Sequence, residues 1–65
     1  RVGMTFTEFI HIKRIEKACE LLSNSEYSIS DISEKVGFND TKSFYRNFKK
    51  ITGKTPNKYR QEFKK

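Results

Sequence analysis

The sequence predicts an all-α fold of four helices, and three observations carry that expectation. Cap-forming residues stand ahead of each helical stretch. Behind several of them, apolar residues recur at i, i+3, i+4 and i+7, the spacing of one helix face. β-Branched residues are scattered, strict period-two alternation is absent and the single proline comes near the end, so no strand is expected.

The first helix is predicted from Phe6 to about Ser23, with Asn24 and Ser25 ending it. Thr5 and Glu8 form the capping-box pair at its start. Its apolar positions do not make one stripe. Phe6, Phe9 and Ile10 cluster on one side of the N-terminal half, whereas Ile15, Ala18, Cys19 and Leu22 line nearly the opposite side of the C-terminal half. Such a helix needs a different neighbour at each end, so it reads as a linker.

The second helix is short. Ser28 is its N-cap, Asp31 favours the positive end of its dipole, Ile29, Ile32, Ser33 and Val36 share a face, and Gly37 stops it in the left-handed conformation. The small Ser33 suits a close helix crossing. The third helix, capped by Asn39 or Asp40, runs to about Thr52 before Gly53. Phe44, Phe48 and Ile51 face inward, with Lys42, Arg46 and Lys49 roughly opposite. The fourth starts at Thr55 with Pro56 at its first position, buries Tyr59 and Phe63, and turns Lys58, Arg60, Lys64 and Lys65 outward.

Gly3, Thr5 and Phe9 repeat the spacing of Gly53, Thr55 and Tyr59. Each triple reads as a helix stop, a new cap and an aromatic one turn later. Since Gly53 follows a helix-turn-helix, the echo suggests that Gly3 follows another, upstream of Arg1. The expected division is a linker-helix region over residues 1–27 and a second helix-turn-helix with its C-terminal helix over residues 28–65.

Composition narrows the function. A chain of 65 residues accommodates one small domain, burying about 60% of its unfolded surface, so no deep catalytic cleft is expected. With 14 Lys and Arg against 8 Asp and Glu, its net charge of +6 favours a polyanionic partner. Cys19 is the only cysteine, which excludes an internal disulfide, and with His11 it cannot complete a zinc site. A reducing, cytoplasmic setting is expected. Apolar runs are too short for a membrane span. No nucleophile–base set or glycine-rich phosphate loop is evident, so neither an enzyme nor a cofactor is expected.

Residues 28–50 carry the strongest signal. A short helix, a glycine-containing turn and a second helix form a helix-turn-helix, whose second helix enters the major groove of double-stranded DNA. Ser33 and Gly37 allow the crossing and the turn, and Phe38 would plug the space between the helices. Thr41, Lys42, Tyr45 and Arg46 are the base-contact candidates, because the first turns approach base edges. Lys42 and Arg46 can donate to guanine, and Thr41 can offer a methyl to thymine. Asp40 could accept from cytosine, although capping suits it better. Tyr45 fits a base contact and packing at the core's edge equally well. Ser28, Ser30, Lys49, Lys50, Thr55 and Lys58 are phosphate-contact candidates. Arg14 is assigned a structural role, pairing with Glu16 or Glu20, His11 a surface position and Cys19 a small core position. The alternative is a protein-interaction module, in which the basic face meets an acidic partner or the Phe6/Phe9/Ile10 face meets a second copy.

These residues resemble the DNA-binding domain of the AraC/XylS family of bacterial transcription regulators. The resemblance rests on Gly3-Met4-Thr5-Phe6, Phe9-Ile10, Arg14-Ile15, Ala18, Leu21-Leu22, Ile29 to Ser33, Val36-Gly37-Phe38, Phe44, Phe48-Lys49-Lys50, Gly53, Thr55-Pro56 and Tyr59-Arg60. Ser33 departs from the family's usual alanine. The resemblance implies two homeodomain-like helix-turn-helix units joined by a long linker helix, with a sensor domain elsewhere and recognition helices in successive major grooves. On that basis the chain corresponds to the C-terminal half, from a regulator such as an activator. The implied partners are double-stranded DNA and, through the full-length protein, RNA polymerase.

Overall fold

The computed structural model describes residues 5–63, which form α1 (Phe6–Asn24), α2 (Ile29–Lys35), α3 (Thr41–Thr52) and α4 (Pro56–Phe63), with no strand among them. Gly3, Lys64 and Lys65, on which the internal echo and part of the basic C-terminal face were read, lie outside the described residues.

Local chemistry sets the helix ends. At α1 the Glu8 amide donates to Thr5 Oγ1 at 3.0 Å and the Thr5 amide donates to Glu8 Oε1 at 3.2 Å, closing the capping box. Ser28 Oγ accepts from the Asp31 amide at 3.0 Å to start α2. Gly37 then turns the chain at φ 105°, while the Gly37 amide bonds the Glu34 carbonyl and the Phe38 amide bonds the Ser33 carbonyl. These two bonds make a Schellman ending, which satisfies the last carbonyls of α2. Asp40, not Asn39, caps α3, its Oδ1 accepting from the Ser43 amide at 2.7 Å. That bond holds the Asp40 carboxyl below the usual carboxylate range, with Lys42 and Arg46 adding smaller effects. Gly53 ends α3 at φ 83°, and Thr55 Oγ1 caps α4 by accepting from the Lys58 amide at 3.2 Å.

α1 runs one residue further than expected, to Asn24. Its last turn is held by the Ser25 amide and hydroxyl, both bonded to the Leu21 carbonyl. Arg60 reaches the same end from α4. Its Nε donates to the Leu22 carbonyl at 3.2 Å and its Nη2 to the Ser25 carbonyl at 3.1 Å. Arg60 therefore points inward, correcting its outward assignment, because guanidinium satisfies carbonyls that α1 leaves unpaired.

α1 contacts every other helix, and α3 contacts both α2 and α4. Ile15, Ala18 and Leu22 of α1 pack with Ile32, Val36, Phe38, Phe44 and Phe48 in the buried core. The aromatic rings form a column, with centroids 5.6 Å apart for Phe38–Phe44, 5.7 Å for Phe44–Phe48, 5.5 Å for Phe48–Tyr59 and 4.6 Å for Tyr59–Phe63. Cys19 is half-buried against this core, and burial pushes its thiol up. Ser33 is 2% exposed and donates to the Asp40 carbonyl at 3.4 Å, so a small side chain both permits and ties the crossing.

Four inner or surface assignments are corrected. Phe63 is 53% exposed, since the final turn of α4 extends past the core, where its ring stacks on Tyr59. Ile51 is 37% exposed and lines a cleft of about 120 Å³ with Glu8, His11, Ile12, Asn47 and Lys50, where the end of α3 passes the start of α1. His11 is not a bare surface residue, because its half-buried ring lies 5.4 Å from Phe38. Arg14 does keep a structural position, but without a glutamate: Lys13 and Lys17 pair with Glu16 and Glu20, and the Arg14 guanidinium lies over Phe38. Phe6 and Phe9 are exposed, as the change of apolar face along α1 implies.

Candidate nucleic-acid interface

The inner face of α3 is fixed by Phe44 and Phe48, both fully buried, which leaves the opposite side outside. Lys49, Lys42 and Arg46 fall within an arc of about 60° there, at 100° per residue, whereas Tyr45 and Thr41 follow toward the side of Phe48. Lys42, Arg46 and Lys49 are exposed, whereas Thr41 and Tyr45 are half-buried. The structure thus puts Lys42 and Arg46 on the outer face of α3, with Thr41 and Tyr45 at its border toward the core. Lys50, about 40° beyond Arg46, is exposed at the other border of that face and also lines the α1–α3 cleft.

Tyr45 has both of the roles read for it available. Its ring packs edge-on against Phe44 at 6.3 Å, and its hydroxyl receives a hydrogen bond from Asn57 Nδ2 at 3.1 Å. Asn57 was missed in the sequence, since a pairing across 12 residues and two helices leaves no local pattern. Ser28 and Thr55 have their hydroxyl oxygens engaged as caps, so what they present is the start of α2 and of α4. Ser30 is exposed and borders the α2–α3 turn with Asp40 and Thr41, and Lys58 is exposed on α4.

Charge is unevenly compensated. On α1, Lys13 pairs with Glu16 at 3.6 Å and Lys17 with Glu20 at 3.3 Å, and Lys54 pairs with Glu62. No ion pair among the described residues involves Lys42, Arg46, Lys49 or Lys50. The outer side of α3 is therefore a concentrated positive surface whose cations form no ion pair, although Lys42 and Arg46 feel the Asp40 carboxylate at the start of the helix. Among the described residues, no group of three or more His, Cys, Asp or Glu stands close enough to hold a metal, and no helix is long and apolar enough to cross a membrane.

A short helix, a tight glycine turn and a second helix with a cationic outer face define a helix-turn-helix of the DNA-binding kind. The chain matches the helix-turn-helix domain family over residues 1–62. It belongs to the helix-turn-helix domains of AraC/XylS-type regulators and serves DNA binding in transcription regulation. It is 43% identical over 53 residues to the MmsAB operon regulatory protein of Pseudomonas aeruginosa, covering 82% of this chain and 17% of that protein. It is 41% identical over 59 residues to the xylose operon regulatory protein of Escherichia coli K12, covering 91% and 15%. The C-terminal domain of the response regulator yesN from Fusobacterium nucleatum superposes with a TM-score of 0.84 at 41% identity, covering 91% of this chain and 57% of that one. The xylose-binding transcription activator xylR superposes with the same score at 37% identity, covering all of this chain and 17% of that one. The chain thus spans about a sixth of the length of these two operon regulators.

Proposed function

We propose that α3 lies in the major groove of double-stranded DNA and reads base edges with Thr41, Lys42, Tyr45 and Arg46. The positive side of α3, whose cations form no ion pair whereas Lys13 and Lys17 of α1 do, carries this reading. Ser28, Ser30, Lys49, Lys50, Thr55 and Lys58 neutralise or bind phosphates along the flanking backbone and supply most of the affinity. Arg46 and Lys42 supply discrimination, because each can donate to guanine O6 and N7. Residues 1–27 act as a linker and residues 28–65 as the second reading unit of a larger DNA-binding domain. The 57% coverage of the yesN domain supports that division. The whole protein works in the cytoplasm by binding rather than by catalysis, with RNA polymerase as a further partner.

The test uses a duplex enriched by the wild-type chain from a pool with a randomised centre, compared with a scrambled duplex at two salt concentrations. Arg46→Ala is expected to weaken binding to the enriched duplex by about 1–3 kcal/mol more than to the scrambled one. Equal losses on both would make Arg46 a phosphate contact only. Binding that ignores salt would remove the DNA reading itself.

A second reading rests on Phe6, 79% exposed, and Phe9, 46% exposed, with half-buried Ile10 beside them. On that reading a second copy covers this face, and sedimentation shifts toward a dimer as concentration rises. A chain that stays monomeric throughout excludes it.

A further inference from the structure

We infer that Arg14 is a positioning residue for DNA reading: its guanidinium and the His11 ring clamp Phe38, and through Phe38 they set the orientation of α3 against α1. This deepens the major-groove reading above and rests on it.

His11 and Arg14 are one helical turn apart on α1, so they project toward the same neighbour. That neighbour is Phe38, a residue of the α2–α3 turn three positions before α3 begins. The His11 ring lies 5.4 Å from the Phe38 centroid, and Arg14 Cζ lies over the same ring at 5.7 Å. Phe38 in turn packs at 5.6 Å on Phe44, the buried ring of α3. An unbroken chain of contacts therefore runs from two side chains of α1 to the inner face of the helix that carries the cationic surface. A change in where Phe38 sits would tilt that helix.

Gly37 supplies an independent observation. A Cβ added there would lie 3.1 Å from Arg14 Nε and 3.2 Å from Arg14 Cζ. The turn therefore needs glycine for its φ of 105°, and a Cβ there would also press on the guanidinium and displace it by a few tenths of an ångström. Arg14 forms no ion pair or hydrogen bond with another described residue, so the cation against an aromatic face and a bare glycine is what places it. A flat guanidinium fills that slot, whereas an ammonium on a flexible stem does not.

The test compares wild type, Arg14→Ala and Arg14→Lys on the enriched and scrambled duplexes, under conditions where far-ultraviolet dichroism shows all three folded. Both variants are expected to lower the preference for the enriched duplex by about threefold to tenfold while leaving scrambled-duplex binding within about twofold. An unchanged preference overturns the proposal. So does full recovery with Arg14→Lys, or an equal loss on both duplexes, because either would make Arg14 a phosphate contact. A wild-type chain that shows no preference removes the reading on which the proposal rests. A urea-unfolding cycle with Gly37→Ala then still reports the clamp without DNA. Gly37→Ala is expected to cost clearly less in the Arg14→Ala background than in wild type, and equal costs in the two backgrounds would show that the clamp is absent.

Discussion

Phe44→Ala is expected to leave much of the chain unfolded at 25 °C. Phe44 is completely buried, with its ring 5.6 Å from Phe38, 5.7 Å from Phe48 and 6.3 Å from Tyr45. Truncating a buried Phe costs about 3–5 kcal/mol, as lost transfer free energy plus the cavity left behind. At roughly 0.05–0.15 kcal/mol per residue, a chain of this length has about 3–10 kcal/mol in all. The substitution therefore removes a large fraction of the stability, and at the lower end all of it. Urea unfolding followed by far-ultraviolet dichroism measures the loss. A cost below about 1 kcal/mol would show that the aromatic column is not the core. Phe63→Ala is the internal comparison. That residue is already more than half exposed and its ring stacks on half-buried Tyr59 at the edge of the core, so its loss belongs with surface substitutions.

The contrast between Phe44 and Phe63 also marks what the sequence could reveal. Helix ends were legible because capping is local. Thr5 with Glu8, Ser28, Asp40, Gly37 and Gly53 each act within a few residues of themselves. The cationic face of α3 was legible for the same reason, since a single helical period decides which side Lys42, Arg46 and Lys49 occupy. Periodicity gives a direction around a helix but not how far along it the neighbour extends. Ile51 and Phe63 point the way their spacing requires, yet Ile51 meets a cleft between the end of α3 and the start of α1, and Phe63 is left more than half exposed in the last turn of α4. Arg60 was read as one more outward cation, although its partners lie 38 and 35 residues away. His11 and Arg14 belong to the same class, because their shared partner Phe38 becomes visible only when α1 is laid across the turn. The single-helix part of the candidate interface could be read, and the Tyr45–Asn57 contact and the Phe38 clamp could not.

Arg60→Ala is expected to destabilise the chain by about 2–3 kcal/mol, a large effect for a residue outside the hydrophobic core. Two hydrogen bonds leave its guanidinium, one for each of two carbonyls at the end of α1. Hydrogen bonds involving a charged group contribute about 1.5–3 kcal/mol each, and a cation at a helix C-terminus adds about 0.3–1 kcal/mol. The three contributions overlap because they share one group, and partial exposure lets water replace some of each, so the total falls well below their sum. Arg60→Lys is expected to recover only a small part, since one ammonium cannot span both carbonyls as a planar fork does. Amide exchange in the last turn of α1, at Asn24 and Ser25, should speed up more than at Phe48 in the core. If Arg60→Lys matched wild type, charge near the helix end would suffice and the fork would be incidental. The consequence reaches the interface as well. α4 holds Asn57 against the Tyr45 hydroxyl at 3.1 Å, so releasing α4 from the end of α1 also loosens the support of Tyr45 at the border of the outer face of α3.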